Sequence, residues 1–253
     1  MPRSPVARPF LSAGFLLLLC SRSGVAQPAA TAQYGDFVGE TVVFENVEEQ
    51  GDVLFNEPVV VGDRLVFNPN ASDFEVQAFG GDEQALSGNI VTNIAGNPGR
   101  ALTGITVGAG GTASFFGFGT FPVSSVRAEV TISAGVIEID GEGVDGQPVR
   151  LQSVTETVIN LEHPGRNVIN QAWTGQGRLD VAAAARDAGF EGDVTFLNLV
   201  VNTVLFATSE SGSTSRIDLT GFETVTISLP EPSSALLIAG AASGLCLRRR
   251  RVT

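Results

Sequence analysis

Hydrophobic and polar residues alternate with a period of two along most of this chain, as they do in strands that bury one face. Val126, Ala128, Val130 and Ile132 alternate with Arg127, Glu129, Thr131 and Ser133. The phase slips at Gly135, after which Ile137 and Ile139 take the apolar side, which predicts a bulge. Phe74, Val76 and Ala78 repeat the alternation around Glu75 and Gln77, and Val225, Ile227 and Leu229 repeat it around Thr224, Thr226 and Ser228.

Residues 194–207 break the rule, because both faces are largely apolar. Leu197, Leu199, Val201 and Leu205 lie on one side, and Phe196, Val200, Val204 and Phe206 on the other. This predicts a central strand, or two strands broken near Asn202. Ser209-Glu210-Ser211-Gly212-Ser213 reads as a hairpin turn into a strand at 216–219. One short helix is expected, with Asp180 as N-cap, an alanine-rich turn over 181–185 and Gly189 just past its end. Open sheets must bury one face, so the predicted fold is all-β: a two-sheet antiparallel β-sandwich with at most one short helix.

The two ends are patterned differently. Residues 235–247 carry no charge and are followed by Arg248, Arg249, Arg250 and Arg251, which the positive-inside rule holds on the cytoplasmic side. Thirteen helical residues span about 20 Å, short of the ~30 Å hydrocarbon core, which suits temporary retention. Pro230 and Pro232 keep the Pro-Glu-Pro unit before it extended and accessible. At the other end, Arg3 and Arg8 precede an apolar run over 10–20 and the small residues Gly24-Val25-Ala26, the pattern of a secretory signal peptide over 1–26. A cut after Ala26 makes Gln27 the mature N-terminus, with Ala30 or Ala32 as later alternatives. Cys20 follows Leu19, where lipidation wants a small residue.

Pro230-Glu231-Pro232, the apolar run and the arginine cluster together resemble the PEP-CTERM sorting signal that bacterial exosortases recognise. The resemblance implies export past a signal peptidase, removal of the tail (residues 230–253, a sorting helix) and delivery to the cell surface or extracellular polysaccharide matrix. The membrane is then met only through the transient C-terminal segment. A second resemblance covers most of the intervening domain at 27–229. Phe44-Glu45-Asn46-Val47-Glu48-Glu49, Leu54-Phe55 before Pro58, Gly62-Asp63-Arg64-Leu65-Val66-Phe67-Asn68-Pro69 and Phe74 look like the opening of a PEP-CTERM group of unknown activity. Trp173-Thr174-Gly175, Leu179-Asp180, Asn198, Asn202 and Leu205-Phe206-Ala207-Thr208 are similar to its later half. These are packing and turn patterns, and they carry no catalytic residue across.

With both ends set aside, residues 27–229 hold 26 acidic residues against eight arginines and no lysine, a net charge of −18. Such a surface repels nucleic acid and anionic membranes. The cysteines, Cys20 and Cys246, both fall in the end segments, so the domain carries no disulfide and rests on its core.

Candidate chemistry is sparse. His163, the single histidine, is followed by Pro164-Gly165 and reads as part of a polar turn. One histidine and no thiol leave no metal site built from His and Cys. Asp140, Glu142 and Asp145 offer oxygen ligands for calcium in a glycine-rich loop, yet they lack the EF-hand spacing, and a solvated hairpin turn is the favoured reading. Glu45, Glu48, Glu49 and Asp52 read as a solvated edge that discourages pairing between molecules. Gly108-Ala109-Gly110-Gly111 lacks a Walker lysine and reads as turns and close backbone packing. Of Phe115, Phe116, Phe118 and Phe121 at least half are expected in the core. The expected function is a non-catalytic surface or matrix protein associated with exopolysaccharide, without a cofactor. The alternatives are a carbohydrate-binding module or a secreted glycoside hydrolase. Trp173 and Tyr34, the only Trp and Tyr, make a large aromatic sugar platform improbable.

Overall fold

A computed structural model describes residues 31–70, 74–98, 100–117, 124–144, 148–219 and 225–229. The proposed signal peptide with Ala26 and Gln27, the Pro230-Glu231-Pro232 unit, the four terminal arginines and Asp145 lie outside them. No helix of the described residues is long and apolar enough to cross a membrane.

Two antiparallel sheets face each other across one apolar layer, as the alternation predicted. The first has eight strands. Its backbone runs β1 (Thr31–Val38), β2 (Val42–Gln50), β6 (Glu83–Gly96), β13 (Val194–Thr208) and β8 (Ser125–Ile139). The far edge of β8 is shared in succession by β9 (Glu142–Gly143), β10 (Val149–Arg150) and β11 (Val154–Glu162). The second sheet has seven strands, in the order β3 (Val59–Val61), β4 (Arg64–Phe67), β15 (Val225–Ser228), β7 (Ile105–Gly117), β14 (Ser213–Asp218) and β5 (Glu75–Phe79). β15 and β14 lie end to end along one side of β7, and β12 (Val168–Leu179) pairs with the other side.

The core is built from the predicted apolar phases. Val126, Ala128, Val130 and Ile132 of β8 are buried, as are Leu197, Leu199, Val201 and Leu205 of β13 and Ile227 of β15. At one end Phe55 packs edge-on against Phe67 and Phe74, with ring centroids 5.6 and 5.3 Å apart. Such geometry sets the positive rim of one ring against the negative face of the next. Helix α1 (Val181–Asp187) joins β12 to β13 and thus one sheet to the other. Its N-cap is the expected Asp180, whose Oδ1 accepts from the Ala183 amide at 2.8 Å, and Gly189 follows with φ 88°.

Several expectations need correction. β13 is one unbroken 15-residue strand, because Asn202 stands on its outer face, where an amide is no disruption. The 209–213 turn does not close a hairpin: β13 pairs only within the first sheet and β14 only within the second, so the turn carries the chain across the core. The phase of β8 does not slip at Gly135: Ala134 and Val136 stay on the buried face and Ile137 is only half-buried, because the irregularity falls further on, where Glu138 opposes Phe196. The glycine-rich run is strand, the interior of β7. Close packing is the reason for its glycines, since a Cβ on Gly111 would lie 1.8 Å from the Asp218 carbonyl oxygen. Phe115 is core and Phe116 half-buried, while Phe118 and Phe121 lie outside the described residues.

Candidate functional site

The outer face of the eight-stranded sheet carries an ordered array of side chains. On β6 the sequence reads Asn89-Ile90-Val91-Thr92-Asn93, and on β13 Asn198-Leu199-Val200-Val201-Asn202. In each, the period of two sends both asparagines and the middle valine to one face and buries the residues between them. The strands are antiparallel neighbours and their register superposes the two segments, pairing Asn198 with Asn93, Val200 with Val91 and Asn202 with Asn89.

Neighbouring strands extend these pairs into rows across the sheet. Gln50, Asn89, Asn202, Thr131 and Thr155 form one row over β2, β6, β13, β8 and β11. Glu48, Val91, Val200 and Ser133 form the next, and Glu45, Asn93, Asn198, Gly135 and Arg150 the third. Strands about 4.8 Å apart make a five-residue row roughly 19 Å long, and rows two residues apart are separated by about 6.7 Å. The valine methyls at the centre of the middle row, between Glu48 and Ser133 at its ends, thus form a short stripe between two polar rows.

Hydrogen bonds between neighbours hold the array in place. The Asn198 Nδ2 donates to the Asn93 Oδ1 at 2.9 Å, the Thr131 and Thr155 hydroxyls are 2.9 Å apart, and those of Ser133 and Ser153 are 2.8 Å apart. Where Gly135 removes a side chain from the third row, the face dips into a groove of about 550 Å³. Ser133, Pro148, Arg150, Ser153, Asn198 and Val200 line it. Beyond the rows, the Arg127 guanidinium lies 4.3 Å from the Phe206 ring centroid and 3.3 Å from a Glu129 carboxylate oxygen. The array can give and accept hydrogen bonds along two parallel lines while covering an apolar surface between them.

The residues singled out from sequence lie elsewhere. Asp140 and Gly141 are the two central residues of a tight turn between β8 and β9, with φ 52° and 81°. Positive φ at both positions, filled by Asp-Gly, is the hairpin preference. The Asp140 Oδ1 accepts from the Asp193 amide at 2.9 Å, so this carboxylate has a structural partner. Among the described residues no three His, Cys, Asp or Glu side chains are grouped to hold a metal. His163 stands at the head of the exposed 164–166 turn, but its own side chain is fully buried. It packs edge-on against Phe115 at 5.4 Å, and its Nδ1 accepts from the Gly165 amide at 3.0 Å. Trp173 is core, 4 % exposed, so it offers no sugar platform.

The acidic segment is also different from the expected solvated edge. β1 covers β2, so β2 is internal, and Glu49 is fully buried. Its carboxyl accepts from the Leu54 amide at 2.7 Å and the Phe55 amide at 3.2 Å, and the Tyr34 hydroxyl stands 3.0 Å away. The sequence signal that was available for the polar rows, the Asn-x-Val-x-Asn spacing on two segments a hundred residues apart, means nothing until the register brings them together.

No protein-family model matches the chain, and no curated protein does. Among solved structures, the chain is similar to TmCBM61 in complex with beta-1,4-galactotriose at 7% identity and a TM-score of 0.23, covering 64% of this chain and 75% of that one. Endoglucanase 3 of Trichoderma harzianum, from family GH12, is matched at 11% identity and a TM-score of 0.23, over 79% of this chain and 97% of that one. A bacteriophage tailspike domain is matched at 11% identity and the same TM-score, over 81% of this chain and 20% of that one. Likenesses this distant bring neither ligand nor activity to the chain.

Proposed function

We propose that the protein is an exported, non-catalytic component of the cell surface or extracellular matrix that binds extracellular polysaccharide on the outer face of its eight-stranded sheet. The observation that carries this reading is the superposed Asn-x-Val-x-Asn pair on β6 and β13, extended into polar rows on either side of the valine stripe. A pyranose ring presents C–H groups on its faces and hydroxyls around its rim. A polymer laid along the stripe sets its C–H groups on Val91 and Val200, and its hydroxyls meet amides and hydroxyls that both donate and accept. Burying both partners' polar groups together avoids the cost of leaving one unpaired.

Export and processing complete the reading: signal peptidase cuts after Ala26, and an exosortase processes the tail at Pro230-Glu231-Pro232, releasing it from Arg248, Arg249, Arg250 and Arg251. Intact mass of the protein from the host's outer fraction tests this part, the expected chain running from Gln27 to about Pro232; a chain that retains the arginines refutes it. For the binding face the test is affinity electrophoresis of residues 27–229 in gels containing neutral polysaccharides. Retardation that disappears in an Asn93→Ala, Asn198→Ala double variant supports the site, and retardation unchanged by that variant places binding elsewhere.

A further inference from the structure

The buried end of β2 has one proton too few for its hydrogen-bonding atoms. The Tyr34 hydroxyl lies 3.0 Å from the Glu49 Oε2 and 2.9 Å from the Phe55 carbonyl oxygen. A phenol has a single proton to donate, so with Glu49 ionised one of these two contacts between oxygens holds no proton, although the Phe55 amide still donates to the Glu49 Oε2. A proton on the Glu49 Oε2 resolves the count. Glu49 then donates to the Tyr34 oxygen, and Tyr34 donates to the Phe55 carbonyl. The Leu54 and Phe55 amides still donate to the Glu49 Oε1 and Oε2.

We infer that Glu49 is carried as a neutral carboxylic acid, and that the Glu49–Tyr34–Phe55 relay it completes is a latch, released by rising pH, that fastens the edge strand β1 to the sandwich. The groups around Glu49 agree with a neutral acid. From β1 it is faced by Tyr34; from the loop that follows β2 by Asp52, another acid; from β6 by its register partner Ile90, which carries no charge. Phe67 of β4 backs the Tyr34 ring at 6.4 Å. Asp36 of β1 is engaged with the Asn46 amide, and no arginine among the described residues pairs with Glu49. Burial first, and Asp52 in addition, push the Glu49 carboxyl above its ordinary value of 4.5 against the opposing pull of the two amides. Burial and the neighbouring Glu49 push the Tyr34 hydroxyl well above its ordinary range, so it remains a donor throughout.

The sign follows from linkage. A carboxyl whose folded value is raised contributes stability that is complete below 4.5 and is lost as pH rises through the raised value. Ionised Glu49 is a buried anion without a cation, and release of β1, whose Tyr34 covers it, exposes it to water. β1 is the outermost strand and Tyr34 is its tie to the loop at Phe55, so its loss leaves the rest of the sheet paired. The strand uncovered is β2, whose Glu45, Glu48 and Gln50 head the three rows of the outer face.

The test is chemical denaturation of the full chain across a pH series, wild type beside Glu49→Gln, with amide exchange of β1 peptides read alongside. In the wild type the equilibrium constant for unfolding rises by up to tenfold per pH unit through the window above 4.5, over and above the profile of E49Q. Protection of β1 amides, taken relative to the intrinsic exchange rate at each pH, falls in that window while that of β13 does not. Parallel profiles for the two proteins overturn the proposal. Should E49Q fail to fold, infrared spectroscopy of the wild type decides. A protonated-carboxyl stretch at about pH 6, where exposed carboxyls are ionised, and a shift of it in Tyr34→Phe support the latch; no such band refutes it.

Discussion

The two sheets share one core and differ in what they turn to solvent. The eight-stranded sheet shows amides, hydroxyls, carboxylates and valines in rows. At the centre of the seven-stranded sheet, β7 turns Thr106, Gly108, Gly110 and Thr112 outward, small residues or none. Crowding explains part of the difference. A Cβ on Gly110 would lie 3.3 Å from Thr174 Cγ2 and the Trp173 carbonyl oxygen, and on the buried phase of the same strand one on Gly111 would strike the β14 backbone where β14 and β15 meet along β7. Gly108 has open space around it, and nothing in the structure requires a glycine there. One sheet has its side chains free to meet a ligand, whereas the other spends its small residues on fitting three strands around β7.

The comparison breaks most readily at Gly111. Gly111→Val is expected to cost more than about 3 kcal/mol, because two backbones must part to admit it; Gly108→Ala, three residues away, is expected to stay within about 1 kcal/mol. Thermal and urea denaturation of the pair checks the contrast, and equal losses would show that crowding is not the cause. Asp218→Ala follows at about 2–3 kcal/mol. Its nearly buried carboxylate accepts from the Thr112 amide and hydroxyl at 3.1 and 2.9 Å and pairs with Arg216 at 3.2 Å, which in turn holds Glu75 at 2.9 Å. Asp180→Ala is expected to cost about 1 kcal/mol by uncapping α1, the bridge between the sheets, with Asp180→Asn restoring most of it. The smallest change in stability, within about 1 kcal/mol, is expected for Asn93→Ala with Asn198→Ala, since both partners of that amide pair leave together. The same double variant is expected to lose polysaccharide binding at least tenfold. A large loss of stability there would make the rows part of the scaffold instead of a ligand face.

The alternation of residues is a local property, set by the geometry of a strand, and it therefore revealed the β class, the buried phases of β5, of β15 and of β8 as far as Ile132, and the Asp180-capped helix before any contact was known; which of the two apolar faces of β13 is buried it left open. Local chemistry likewise identified Asp140-Gly141 as a hairpin turn. What a strand faces is decided by its neighbours, often a hundred residues away. Glu49 lies in a run of acids that reads as solvated; only the covering strand β1 and the loop at Leu54 and Phe55 make it a buried acid with three hydrogen-bond partners. The 209–213 turn has the residues of a hairpin whichever sheet receives the next strand. Asn89, Asn93, Asn198 and Asn202 are four asparagines in two strands until antiparallel register sets them side by side. Period and capping were thus determined by the chain itself, because they depend on residues within a few positions of each other. Pairing, burial of charge and the composition of a face were decided by the tertiary structure, because each depends on which distant strand lies about 4.8 Å away.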